Sequence, residues 1–584
     1  MPLIGTAGHV DHGKSTLVER ITGRDPDRWE EEKRRGLTID LGFSWATLPG
    51  GSEVSFVDVP GHERYLKNML AGIEAIDVAL FVVAADEGWM PQSEEHLAVL
   101  DLLGVDKAVV ALTKIDSVDD DLVEIAMAEV AAELEGTTLA GSSIVPVSGV
   151  TGEGVDTLLD VLSGLVEQEH DSGDRPRLWI DRAFAVTGAG TVVTGSLLEG
   201  PLVVDDTVEI YPREMTARIR GLQSHEKKME SVAPGRRVAV NLSGLDHDEI
   251  TRGDMMGRPG QWETATRFTA TLRHTRFVNG IETRGAYQLH MGTAASTVDI
   301  VGMDDDLAVL RIDRPLPMAI GDRFIIRDTG RHLVVAGGLV LDPGPRTTRR
   351  ALSDAHLIDP GAHPDVIADR LLESRRVDRL SRIESHARGG KPSQAVIVGD
   401  RAVTEGLLAE LSDKAIHLVD DEHRLHPLRP GLPLATLAER LRVDADLAQR
   451  VVEGSTELER LGPDVARKGH GSRLTPGQET AWVSARERLA ADLAVPHEDE
   501  LGLDPEVIHL KLRDGELVRI GPGLVYLPEQ VRKLTSTMAS LGDEFTVAQF
   551  RDAAGLSRKY AVPLLEWADR EGLTVRRGDL RRFR

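Results

Sequence analysis

The sequence predicts a multidomain chain: an α/β P-loop domain, two or more small β-barrels, and then tandem winged-helix modules of α+β type. Three observations predict it. The chain opens with a strand, a glycine loop and a helix; short strands punctuated by turns run from Arg177 to about Leu341; and a helix–hairpin unit repeats over the remainder. At 584 residues the chain also exceeds what one hydrophobic core organises.

Composition narrows the function classes. Apolar residues at 41% and charged residues at 28% are the proportions of a soluble globular chain, and no apolar run approaches the ~18 residues needed to cross a bilayer. No basic region or cleavage site precedes the first motif, so a signal peptide is not expected. A cytoplasmic monomer with no membrane partner is the expectation. The absence of cysteine excludes disulfides, thiolate metal sites and cysteine nucleophiles. A net charge of −26 opposes general adsorption to polyanions, so a nucleic-acid partner requires a localised basic face. Arginine supplies 56 of the 69 basic residues and is scattered throughout, so one arginine says little about phosphate.

The segment Leu3 to Ala7 leads into Gly8-His9-Val10-Asp11-His12-Gly13-Lys14-Ser15, which fits G-x-x-x-x-G-K-S/T. In this pattern Gly8, Asp11, His12 and Gly13 shape a loop whose N–H groups converge on phosphates. Lys14 supplies a point charge, Ser15 a hydroxyl for magnesium, and Thr16 begins a helix whose positive end faces the anion. Val54 to Asp58 reads as a buried strand ending in a carboxylate that holds a magnesium-bound water. Val59-Pro60-Gly61-His62 follows, with Gly61 near the γ-phosphate and His62 placed to orient an attacking water. The strand Ala108 to Leu112 runs into Thr113-Lys114-Ile115-Asp116. Asp116 can accept both guanine N1–H and N2–H while Lys114 packs on the ring, a pair of donors that adenine lacks. GTP and GDP are therefore the expected nucleotides, and the first domain is a P-loop GTPase domain. The loop at Ser148-Gly149 is placed to reach guanine O6, and Thr38 in Arg35-Gly36-Leu37-Thr38 joins the metal and the γ-phosphate.

These motifs, G-H-V-D-H-G-K, R-G-x-T, D-x-P-G-H and x-K-x-D in order, resemble the translational GTPases, the family of elongation factor Tu, over about the first 345 residues. Thr113 stands where most of the family has Asn, which removes a carboxamide that ties the base-binding loop to the P-loop. In the same family a G-x-G-T-V-V-T-G hairpin, here Gly188 to Gly195, and the acidic pair before it form part of the aminoacyl pocket. That pair is Asp181-Arg182 here, and Arg237 stands where elongation factor Tu has an uncharged Asn. Two guanidiniums facing an aminoacyl group favour an anionic side chain, such as a selenol ionised at neutral pH, over serine or a thiol of pKa ~8.5. The alternative is that Arg182 and Arg237 simply pair with Asp181 or other carboxylates. With Thr38-Ile39-Asp40-Leu41-Gly42-Phe43 extending the switch match, the chain resembles the selenocysteine-specific (SelB) branch.

The tail supports the same resemblance. Hairpins are expected at Ile416–Leu425, Leu458–Val465, Leu517–Leu527 and Leu573–Phe583, each after apolar helical stretches. The expected domains are 1–172 for nucleotide, 173–261 and 262–345 for the barrels, and 346–428, 429–490, 491–536 and 537–584 for four winged helices. Met538 to Arg584 carries nine Lys or Arg against seven Asp or Glu, with Arg558, Lys559 and Tyr560 at a helix start and Arg576, Arg577 and Arg581 in the wing. The resemblance implies that this last module grips an mRNA hairpin (SECIS element) beside a recoded UGA codon while the rest carries selenocysteinyl-tRNA to the ribosome. The competing readings are a general translation factor, like elongation factor Tu or an initiation factor γ subunit, and an RNA-binding adaptor with a regulatory GTPase domain.

Overall fold

The computed structural model describes residues 2–24, 42–58, 76–166, 173–188, 190–225, 227–278, 280–345 and 347–584. They divide into two compact units, Met1–Thr404 and Glu405–Arg584.

The first unit opens with a six-stranded sheet. Its strands are β1 (Leu3–Gly8), β2 (Gly42–Thr47), β3 (Glu53–Asp58), β4 (Val78–Ala84), β5 (Ala108–Thr113) and β6 (Ser143–Pro146), in the order β2-β3-β1-β4-β5-β6. Only β2 runs antiparallel to its neighbour. Every residue of β1 is buried, because helices cover both faces. Leu3 and Ala7 join the core beneath helix Pro91–Leu102, and Ile4 joins the core beneath α1 (Lys14–Thr22). The C-terminal edges of β1, β3 and β5 thereby bring Gly8, Asp58 and Thr113 to one end of the sheet, where doubly wound folds place their ligands.

Two closed antiparallel barrels follow. In the first, β7 (Arg177–Val186) and β8 (Gly190–Glu199) form a hairpin, and Thr207–Tyr211 pairs with Met215–Ser224 to close the ring. The second runs from Thr264 to Asp342 and closes through Thr264–Thr271 against Leu333–Asp342. Closure removes the exposed edges that short strands would otherwise present. Ile325 and Val334 of the second barrel join the core of the nucleotide domain, so the barrel is packed on it directly.

The helix–hairpin modules depart from expectation in places. Ile416–Leu425 is not a hairpin but the end of a helix, Glu405–Leu425, whose buried Leu411, Ala415, Val419 and Glu422 recur at helical spacing. This helix packs on Leu434–Leu441 and Ala445–Gly454, so the boundary expected at 428 moves to 404. The hairpin of the first module is Val396–Val398 with Arg401–Val403. The boundary expected at 490 moves as well, because Trp482, Ala485 and Leu489 of helix Pro476–Ala490 belong to the core of the following module. That core is continuous with the last module: Tyr526, Leu534, Phe545, Phe550 and Leu565 lie in one cluster. Pro563 sits inside helix Arg558–Arg570 and removes one backbone donor there. Among the described residues, no helix is long and apolar enough to cross a membrane.

Candidate nucleotide-binding site

The loop between β1 and α1 needs glycine at both ends. Gly8 has φ 128°, and a Cβ there would lie 2.1 Å from the Val82 carbonyl oxygen; Gly13, at φ 82°, caps the helix. Lys14 is buried inside this loop, its Nζ donating to the carbonyls of Gly8 (3.1 Å) and His9 (2.5 Å). Burial pushes its ammonium down to about 8 despite the nearby Asp58 and Asp11. The loop therefore keeps a desolvated cation ready for phosphate oxygens, while Asp11 and Thr16 lie exposed at its rim.

Asp58 is fully buried at the end of β3 and accepts from Thr6 Oγ1 (2.6 Å) and Ser15 Oγ (2.7 Å). A hydroxyl and a carboxylate side by side are hard oxygen donors of the kind magnesium takes, so the residues fit that ion. Among the described residues no cluster of three or more His, Asp or Glu offers another metal centre. Thr38, Gly61 and His62 lie outside the described residues.

Thr113 corrects one expectation. Its hydroxyl donates to the His12 carbonyl oxygen at 2.7 Å, so the base-binding loop is tied to the P-loop without a carboxamide. Lys114 adopts φ 59° and reaches Asp86 Oδ2 (3.2 Å) and Glu87 Oε1 (3.4 Å), while Asp116 is exposed at the mouth of the site. Ser148 corrects another. It is fully buried, its N–H donates to the Glu153 carbonyl (2.9 Å) and its Oγ accepts from Thr151 N–H (3.0 Å). Ser148 thus shapes the loop over α1 and has no N–H left for guanine O6.

Sequence reasoning missed the support behind the P-loop. Helix Pro91–Leu102 presents Gln92 and His96, and their side chains accept the N–H groups of Val10 (3.0 Å) and Gly8 (2.9 Å). Burial, with Lys14 and His9 close by, pushes the His96 imidazole down to about 3, which keeps Nδ1 an acceptor. His12 is driven down to about 4, chiefly by burial. Gln92 and His96 stand at i and i+4 on a largely buried helix, a polar pair on one face that could have signalled the contact.

Near the barrel hairpin, Arg237 meets Asp181 edge-on, with Nη2 to Oδ1 at 2.9 Å and Nε to Oδ2 at 3.1 Å; Thr194 Oγ1 also donates to Asp181 (2.6 Å). Arg182 is exposed on β7 beside a register shift. Asp181 thus meets the guanidinium of Arg237, the pairing that was the alternative reading of the sequence. In the last module Arg558, Lys559, Arg576 and Arg577 are exposed, and Tyr560 packs partly against the core. Arg581 does not join them: it is 4% exposed and donates to Asp569 at 2.9 Å, so it secures the wing rather than offering charge to RNA.

A glycine loop with a buried lysine, tied to the loop after β5, on a sheet followed by two antiparallel barrels, is the build of a translational GTPase. Family models agree along the chain: the elongation factor Tu GTP binding domain matches residues 1–168 and elongation factor Tu domain 2 matches 190–257. The selenocysteine-specific elongation factor β-barrel domain matches 266–347, and the elongation factor SelB winged helix matches 537–583. The chain is 32% identical to the selenocysteine-specific elongation factor of Desulfomicrobium baculatum over 100% of both chains. It is 33% identical to that of Escherichia coli K12, over 99% of this chain and 98% of that one. A crystal structure of the bacterial selenocysteine-specific elongation factor EF-Sec superposes with a TM-score of 0.74 at 28% identity, covering 100% of each. The chain belongs to the selenocysteine-specific elongation factors, and it is a GTPase of translation.

Proposed function

We propose that this GTPase carries selenocysteinyl-tRNA to the ribosome and finds recoded UGA codons by gripping an mRNA hairpin, the SECIS element, with its last module. It acts as a monomer in the cytoplasm. The observation that carries the cargo assignment is the Arg237 guanidinium held edge-on by Asp181 in the wall of a cavity, a charged donor that favours a selenolate over a neutral serine hydroxyl. Asp181 and Thr194 fix the guanidinium plane of Arg237 before cargo arrives.

Hydrolysis follows from the residues at the sheet end. Ser15, Thr38 and, through water, Asp58 would hold magnesium, whose charge stabilises the transferred phosphoryl group. Lys14 neutralises phosphate oxygens from within the P-loop, Asp116 and Lys114 select guanine, and His62 orients the attacking water. No arginine finger is evident in the switch motifs, so the ribosome completes the site and intrinsic turnover is slow. In the last module Arg558, Lys559, Arg576 and Arg577 supply phosphate contacts and Tyr560 a stacking face.

The decisive measurement compares selenocysteinyl-tRNA with seryl-tRNA on the same tRNA body, in the presence of a GTP analogue. Selenocysteinyl-tRNA is expected to bind at least tenfold more tightly, the effect of about one charge-assisted hydrogen bond. Equal affinities would overturn the assignment of the pocket.

A further inference from the structure

Thr113 ends β5 at the corner where the base-reading loop meets the P-loop. It is 3% exposed, and its Oγ1 lies 2.7 Å from the His12 carbonyl oxygen and 3.3 Å from the Val83 carbonyl oxygen. Both neighbours are acceptors. The P-loop passes beside the same hydroxyl, for a Cβ on Gly13 would lie 3.9 Å from it. Three residues on, Asp116 stands exposed at the mouth of the site. Between them Lys114, at φ 59°, has its Nζ turned to Asp86 (3.2 Å) and Glu87 (3.4 Å).

Guanine carries donors at N1 and N2 and acceptors at O6 and N7. With both donors on Asp116, the opposite edge of the ring, which holds N7, faces back toward the phosphates and so toward Thr113. A hydroxyl has a single hydrogen, whereas a carboxamide NH2 has two. The one hydrogen of Thr113 is committed to a main-chain carbonyl. Turning it to the ring would leave a buried acceptor without its partner, which costs at least as much as the new bond gains. We propose that this site reads guanine without its N7 and that Thr113 sets this specificity, an inference that rests on reading Asp116 and Lys114 as the guanine-selecting pair. A guanine nucleotide whose N7 is replaced by carbon is then held as the natural nucleotide is, provided N1–H and N2–H are kept. An asparagine at 113 would keep one hydrogen on the His12 carbonyl and offer the other to N7.

The test uses the full chain as wild type, Thr113→Asn, Thr113→Val and Asp116→Ala. It measures equilibrium binding of GDP and of 7-deaza-GDP, which lacks the N7 acceptor. The wild type is expected to bind the two within about twofold, and a larger preference for GDP would overturn the proposal. Thr113→Asn is expected to favour GDP at least about threefold, the effect of one added hydrogen bond. A smaller preference there would overturn the role of Thr113. Thr113→Val, which removes the tie to His12, is expected to weaken both nucleotides equally. Should Thr113→Asn bind neither, Thr113→Val decides: equal weakening supports the proposal, and a changed ratio overturns it. Asp116→Ala keeps the two readings apart. If it binds GDP as the wild type does, the guanine assignment fails and the inference with it. If it loses GDP while the wild type prefers GDP over 7-deaza-GDP, only the role given to Thr113 fails.

Discussion

The first and the last hairpin-bearing modules are assembled from similar parts and use arginine in opposite ways. In the first, Arg375 ends helix Pro364–Arg375 with its side chain 3% exposed, bonded to Asp342 of the second barrel, to Asp378 at 2.8 Å and to His386 Nδ1 at 2.8 Å. Ser385 and His386 also accept barrel-side donors through their carbonyls, from Arg175 (2.7 Å) and from Ile320 N–H (2.8 Å). In the last, Arg558, Lys559, Arg576 and Arg577 are exposed, and only Arg581 turns inward to a carboxylate. An arginine here is structural wherever a carboxylate meets it in the interior. The charge count of a module does not reveal which kind it holds.

Removing the carboxylate should have the largest effect. Asp342→Ala leaves Arg375 buried without its main partner, and the first unit is expected to lose about 3–5 kcal/mol in chemical denaturation. A loss under about 1 kcal/mol would mean that Arg375 is not held by Asp342. In the last module, Arg581→Ala should cost about 1–3 kcal/mol, since Asp569 is then left without its cation.

His386 is completely buried, and burial, with Arg375 adjacent, holds its imidazole well below 6.5. The unfolded chain takes up a proton below 6.5 that the folded chain refuses. Stability is therefore full above that pH and falls by about 1.4 kcal/mol per unit below it, until the folded value is reached. The last module, 537–584, has no histidine at all. Melts at pH 7 and pH 5.5 should show the loss in the wild type and a smaller one in His386→Gln.

The smallest effect on stability belongs to the exposed wing. Arg576→Ala and Arg577→Ala should shift stability by no more than about 0.5 kcal/mol, yet each should lower the slope of log affinity for hairpin RNA against log salt by about 0.7–0.9. Arg581→Ala should leave that slope unchanged. A slope reduced equally by all three would place Arg581 among the phosphate contacts after all.

Much of the site was legible because its chemistry is local in sequence. Gly8 to Ser15 occupies consecutive positions, and Asp58 and Thr113 each end an apolar strand. What escaped depends on residues distant in the chain. The His96–Gly8 and Gln92–Val10 bonds join positions more than eighty residues apart. The pairing of Arg237 with Asp181, fifty-six positions apart, was one of two readings that sequence left open. The helix at Glu405–Leu425 was read partly as a hairpin because Asp420-Asp421 looks like a turn between apolar runs. The four-residue spacing of Leu411, Ala415 and Val419 outweighs that local signal. Arg581 looked identical to its neighbours in a string of arginines, and alternation along a strand decided which one faced inward.

The continuous core that runs from Trp482 to Leu565 also bears on inheritance. A cut between the third and fourth modules would strand Met538, Phe545 and Phe550, all fully buried, against water. The piece that recombination or a protein engineer could move between chains is therefore the pair, starting near residue 474, and not the last module alone.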